Sequence, residues 1–219
     1  MKTVLSKAIP AAVGCLLLAS CAGQPPVQYS GLSSSAYLKP NEGEGSVKIP
    51  YRYASEVDWS RYQNAIVEPV VVYRGADNQF GTMSDESRQE LARYMQVAFT
   101  NSLWRRFILV KDAVPGTVQI KITLTGAAAS TPVLSTFAHL DIGGNLYNGV
   151  QAIRGEGGLM TGWVMYAVEI HDASNGQLLE AYEEKQYPNA FNPMATFGSL
   201  AAAKTGIDKG SDALADQLQ

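Results

Sequence analysis

Cysteine is nearly missing from this chain: of 219 residues only Cys15 and Cys21 carry a thiol, both close to the start. Nothing after Cys21 can therefore build a disulfide framework or supply a thiolate. Histidine is as scarce, with His139 and His171 alone, so a zinc site lacks its usual close-spaced ligands. An excess of positive charge is also missing. Seventeen Lys and Arg stand against 20 Asp and Glu, a net charge of −3, which leaves no basic footprint for nucleic acid. No apolar run reaches the roughly 18 to 20 residues that span a bilayer. The longest, Ala8 to Ala19, is interrupted by Pro10 and Gly14. What remains is ordinary for a folded domain: 46% hydrophobic and 17% charged residues, enough to bury a real core.

Lys2 and Lys7 precede the apolar run, and together they read as a secretory leader of residues 1–20, set aside from fold reasoning. Leu18-Ala19-Ser20-Cys21 resembles the lipobox of bacterial lipoproteins. That resemblance implies that the Cys21 thiol is alkylated with diacylglycerol, that the chain is cut before Cys21, and that the new amino group is acylated, as with palmitate. Cys15 would leave with the leader. Two or three long acyl chains make an effectively permanent membrane anchor, whereas one binds marginally. Ala22, not Asp, follows the cysteine, which resembles the outer-membrane sorting signal and implies a domain facing the periplasm.

From Ala22 to Ser46, Gly, Pro and Ser supply 12 of 25 residues, without helical or strand period. Residues 21–52 thus read as lipidated cysteine plus flexible tether, with Tyr29, Leu32, Tyr37 and Leu38 available to dock instead. Residues 53–219 read as one domain. Ala65–Tyr73 is rich in β-branched residues and predicts a strand, with Pro69 marking an edge or bulge. Ser84 predicts a helix cap, and Leu91, Tyr94, Met95, Ala98, Phe99 and Leu103 form one helical face behind it. Phe107–Val110 predicts a short strand, hairpinned through the Asp112–Gly116 turn to the alternating Val118, Ile120, Ile122 and Leu124. Trp163–His171 and Gln177–Tyr187 predict a second strand pair around Asp172–Gly176. Leu200, Ala203, Ile207, Leu214 and Leu218 line a last helix. The fold class is α+β: a two-layer sandwich, a mainly antiparallel sheet with helices packed on one face.

Several stretches together resemble an uncharacterised family of bacterial lipoproteins, the domain of unknown function numbered 3313. They are Asp58-Trp59-Ser60-Arg61-Tyr62, the Glu68-Pro69-Val70 strand, Phe107–Val110 leading to Pro115-Gly116, and Gly162 to Ala181 with Asp172-Ala173-Ser174-Asn175-Gly176-Gln177. The resemblance runs from about Tyr53 to the C-terminus. Where Thr-Gly is common in the family, this chain has Asn175-Gly176, which suits a tight turn equally well. The strand–turn–strand is also loosely similar to periplasmic lipoproteins of curli-secretion type, which assemble into rings.

No catalytic constellation stands out. Ser135, His139 and Asp141 are the residue types of a hydrolytic triad but crowd into seven positions without a nucleophile elbow. His171 beside Asp172 reads as a partly exposed contact. Glu183 and Glu184 point to opposite faces of a strand and read as a solvated edge. Gly155–Gly158 lacks the Lys of a phosphate loop, and Asp141 with Asn145 lacks a calcium-loop pattern. Trp104, Arg105 and Arg106 read as a helix end favoured by the dipole, or as a binding surface. The excursion from Gly126 to Gly162 holds eight glycines and three charged residues. Insertions of that length are often functional. The expectation is a non-enzymatic, lipid-anchored binding or scaffolding module of the outer membrane, without metal or cofactor. Its partners would be the membrane, through Cys21, and an envelope protein or a second copy. The alternatives are an oligomeric component of an envelope assembly or secretion complex, and a small envelope hydrolase.

Overall fold

The computed structural model describes residues 27–43, 45–129, 162–188 and 198–219. The leader, Cys21, and all of the excursion but its flanks lie outside the described residues. In chain order the elements are β1 (Lys39–Pro40), β2 (Tyr51–Ala54), β3 (Asn64–Val67), β4 (Val71–Val72), α1 (Asp85–Trp104), β5 (Ile108–Leu109), β6 (Thr117–Ala128), β7 (Trp163–Asp172), β8 (Leu178–Gln186) and α2 (Ala201–Gln217).

The sheet follows from its three long strands. Along β6 and β7 apolar side chains alternate, so Ile120, Ile122 and Leu124 share one face with their antiparallel partners Ile170, Val168 and Tyr166. All six are fully buried, each worth about 1.5–3 kcal/mol where aliphatic. The eight strands run β1-β2-β8-β7-β6-β3-β5, with β4 also on β6. The pairs β1–β2, β2–β8, β7–β8 and β6–β7 are antiparallel, and β3–β5, β3–β6 and β4–β6 are parallel. It is an α+β fold on a mixed, mainly antiparallel open sheet.

β3 and β4 are one strand broken at Glu68-Pro69-Val70. Val67 pairs with Ile120 but Val71 with Thr123, so one extra residue bulges where proline cannot donate. The Val70 N–H donates instead to Gln96 Oε1 of α1, at 2.7 Å. Helix α1 begins at Ser84, whose side chain accepts from Ser87 N–H. Its Leu91, Met95, Phe99 and Leu103 are fully buried, as are Ala203 and Ile207 of α2. The helices pack side by side on the face of Tyr166 and Ile170, joined by Tyr94 to Asp208 at 3.0 Å and Arg105 to Asp212 at 2.6 Å.

Three expectations are corrected. β5 does not hairpin with β6; β3 lies between them, parallel to both. With only two residues in β5, the chain returns through a short loop to start β6 on β3's other side. Glu183 and Glu184 are not on a solvated edge. β8 sits between β7 and β2, and the two residues are 0% and 5% exposed. Lastly, from Val27 onward the segment read as a tether is packed. Tyr29, Leu32 and Leu38 are buried and Tyr37 is half exposed, with β1 and β2 belonging to the same stretch.

Candidate functional site

Two features of the sheet carry distinct chemistry, one at an end and one on a face. At the end where β7 turns into β8, three separate stretches meet. A short 3-10 turn, Trp59–Arg61, is capped by Asp58, whose carboxylate accepts from Ser60 N–H and Oγ–H at 3.1 and 2.6 Å. Tyr62 follows, and its hydroxyl donates to Asp172 Oδ2 at 2.8 Å. Asp172 also accepts from Ser174 N–H at 2.8 Å and from Ser174 Oγ–H at 2.5 Å. Its carboxylate is therefore engaged by Tyr62 and Ser174 and not by His171. The third stretch is Pro115-Gly116, whose Gly116 carbonyl accepts from Gln63 and Asn64 N–H at 3.0 and 3.1 Å. Gly116 has φ of +72°, and a Cβ there would lie 2.8 Å from the Arg61 carbonyl oxygen. Only glycine fits this crossing without strain.

Between these stretches lies an open cleft of 420 Å³, lined among others by Arg61, Tyr62, Val114, Pro115, Asp172 and Ser174. A second hollow of 250 Å³ shares Arg61, Tyr62 and Asp172 and adds Asp58, Asn175 and Gln177. Hydrogen bonds from Ser174 hold the Asp172 carboxyl below its usual range, and bonds from Ser60 do the same for Asp58. Burial, with the bond to Asp172, raises Tyr62. These groups keep fixed charges near neutrality, which suits recognition better than proton transfer.

The second feature lies on the sheet face away from the helices. Residues 29–34 cross it as a strap, and their backbone amides end on side chains of the body. Tyr29 N–H donates to Glu183 at 2.9 Å, Ser30 N–H to Asp77 at 2.9 Å, Gly31 N–H to the Tyr73 hydroxyl at 3.0 Å and Ser34 N–H to Glu169 at 2.7 Å. Glu169 also accepts from Ser33 Oγ–H and pairs with Lys121 at 3.1 Å. Burial pushes the Glu183 carboxyl up to about 8. For Glu169, burial alone would raise the carboxyl. The hydrogen bonds of Ser33 and Ser34 and the charge of Lys121 outweigh it and leave the group below its usual range.

The family model described as "Protein of unknown function (DUF3313)" matches residues 28–214. The chain belongs to that family. The match opens one residue before Tyr29, so the strap is part of the DUF3313 domain as well as of the folded body. Of the stretches that carry the resemblance, Asp58–Tyr62, Pro115-Gly116 and Asp172–Gln177 contribute to the cleft and its neighbouring hollow, whereas Glu68-Pro69-Val70 and Phe107–Val110 line neither. No curated protein matches the chain. Among solved structures it is similar to the PelC dodecamer from Paraburkholderia phytofirmans. Identity there is 9%, over 74% of this chain and 94% of that one, with a TM-score of 0.38. It is also similar to protein XCC0632 from Xanthomonas campestris, of family DUF330. Identity is 10%, over 70% and 81% of the two chains, with a TM-score of 0.36.

Cys21, Ser135, His139, Asp141, Asn145 and Gly155–Gly158 lie outside the described residues. Among the described residues no group of three His, Cys, Asp or Glu is placed to hold a metal ion, and no helix is long and apolar enough to cross a membrane. Arg105 and Arg106 join elements in addition to ending α1: Arg105 pairs with Asp212, and Arg106 donates to the carbonyls of Leu218 and Trp59 at 2.7 and 2.9 Å. Sequence reasoning missed Glu169, Glu183 and Asp77 as acceptors for the strap. The available signal was the pair of buried-type residues Tyr29 and Leu32 inside a Ser- and Gly-rich stretch.

Proposed function

We propose that this DUF3313 protein is a non-enzymatic binding module, anchored to the outer membrane by lipid on Cys21 and presenting its cleft to a periplasmic envelope component. The observation that supports the reading is the separation of attachment and cleft. Tyr29, eight residues after Cys21, bonds Glu183 and reaches Met165 near the start of β7. The Tyr29 amide sits on Glu183, whose partner on β7 is Ala167, and the cleft lies at Asp172, five residues and roughly 17 Å further along that strand. An anchor pulling at Tyr29 leaves the Arg61–Asp172 end facing away from the lipid. The polar residues there are consumed in holding turns, which makes a rigid surface and not a proton-transfer set.

The test has two arms. Cys21→Ser should move the protein from the membrane fraction to the soluble periplasm and abolish palmitate labelling. A photo-crosslinker at Val114, which is exposed beside the cleft, should capture a distinct envelope component, and Arg61→Glu should abolish that capture. Membrane retention of the Cys21→Ser protein would overturn the anchor. Turnover of ester, glycan or peptide substrates, lost in Arg61→Glu, would replace binding by catalysis.

A second reading, self-association within an envelope complex, is favoured by one further observation. Val97 and Trp104, seven residues apart on the outer face of α1, are 60% and 72% exposed, and Ile108 of the edge strand beside Trp104 is 66% exposed. Such a stripe is typical of contact surfaces.

A further inference from the structure

We propose that residues 27–38 are a releasable strap, held to the sheet chiefly through backbone amides on Asp77, Glu169 and Glu183, and that its release lengthens the leash between membrane and domain. The fastening is polar. Three of its backbone donors end on carboxyl oxygens and one on a tyrosine hydroxyl, and the apolar contact behind it is a small cluster of Tyr29, Leu32, Tyr73 and Ala167, separate from the main core. Two polar atoms at this contact, Ser34 Oγ and Glu183 Oε2, are buried without a hydrogen-bond partner. Detachment returns these groups and the three carboxyl groups to water, so opening costs far less than parting β6 from β7. Elements of that kind open independently of the global fold.

The consequence is a change in reach, and this part rests on the lipid anchor at Cys21. With the strap fastened, the eight residues from Cys21 to Tyr29 span at most about 26–29 Å. With it released, the free chain extends to Lys39, where β1 begins, and the limit rises to about 60–65 Å. The same domain thus has a close and a distant station, selected by whether Asp77, Glu169 and Glu183 hold the strap.

Hydrogen exchange on the full chain tests the strap without reference to lipid. The amides of Tyr29, Ser30, Gly31 and Ser34 should exchange well ahead of those of Ile122 and Val168. Asp77→Ala removes acceptors at the surface of the body and should speed the strap amides about tenfold while leaving β6 and β7 unchanged. Strap amides that exchange no faster than β7 in both proteins would overturn the proposal. The leash is read on lipidated protein in vesicles, by energy transfer from a headgroup dye to a probe on Val47→Cys, an exposed site. Lower transfer in Asp77→Ala supports it, and equal transfer despite faster exchange overturns it. Cys21→Ser protein that stays on membranes removes the anchor reading alone and leaves the exchange result standing.

Discussion

Glu183 shows how much a single position depends on what covers it. Its carboxyl is wholly buried, accepts one backbone N–H from Tyr29 and faces Asp77 across the strap, with Lys185 two positions along the same strand face. Burial raises its pKa from 4.5 to about 8. The folded protein therefore binds a proton that the unfolded chain releases near 4.5. The resulting stability is full below that value and is lost as pH rises toward 8. Lys185 has the opposite effect at higher pH: burial lowers it from 10.5 to about 8, so its penalty fades between 8 and 10.5. Urea unfolding should show stability declining from about pH 5 to 8, and Glu183→Gln should flatten that decline. A Gln variant with an unchanged slope would show that Glu183 titrates elsewhere. None of this was legible in Glu183-Glu184, because two adjacent acids on a strand look solvated. Glu183 is covered by Tyr29, 154 residues upstream, and Glu184 is held by Tyr166 and Gln186 on the opposite face, beneath α2.

At the scale of elements, the docking of α2 on the sheet turns on glycine. A Cβ at Gly210 would lie 1.8 Å from the Tyr166 hydroxyl, which donates to the buried Glu184 at 2.6 Å. One turn earlier, a Cβ at Gly206 would come within 3.0 Å of Val164. Gly210→Ala should gain about 1 kcal/mol of helix propensity and lose more, since overpacking costs about 1–3 kcal/mol and the Tyr166–Glu184 bond is pushed aside. A lower urea midpoint than wild type is the expected outcome. Local patterns made the helices legible: the Ser84 cap, the spacing from Leu91 to Leu103, and the apolar side of α2 from Leu200 to Leu218. The parallel insertion of β3 between β5 and β6 was not, because pairing order depends on contacts remote in sequence. A short Pro-Gly turn between two strands suggests a hairpin whether or not a third strand intervenes. The cleft was legible in its parts, as three motifs, and not in their convergence, which needs Tyr62 to reach Asp172 across 110 residues.

At the scale of the whole molecule, the attachment strap, the helix layer and the cleft occupy separate territories of one sheet. If the exposed stripe on α1 joins copies, sedimentation at high concentration should show oligomers that Trp104→Ser converts to monomers without altering the urea midpoint. A strict monomer in wild type, with and without detergent, would leave the stripe to another partner. The sheet margins constrain what such a contact can be. β1 and β5 contain two residues each, and the outer side of β3 and β4 is interrupted at Pro69. A neighbouring strand would find only one or two consecutive backbone partners before the ladder failed. Open sheet margins are where fibril nucleation between crowded copies would start. Among the described residues the margins are too short to seed such a ladder, so a contact between copies has to be made by side chains and stays reversible.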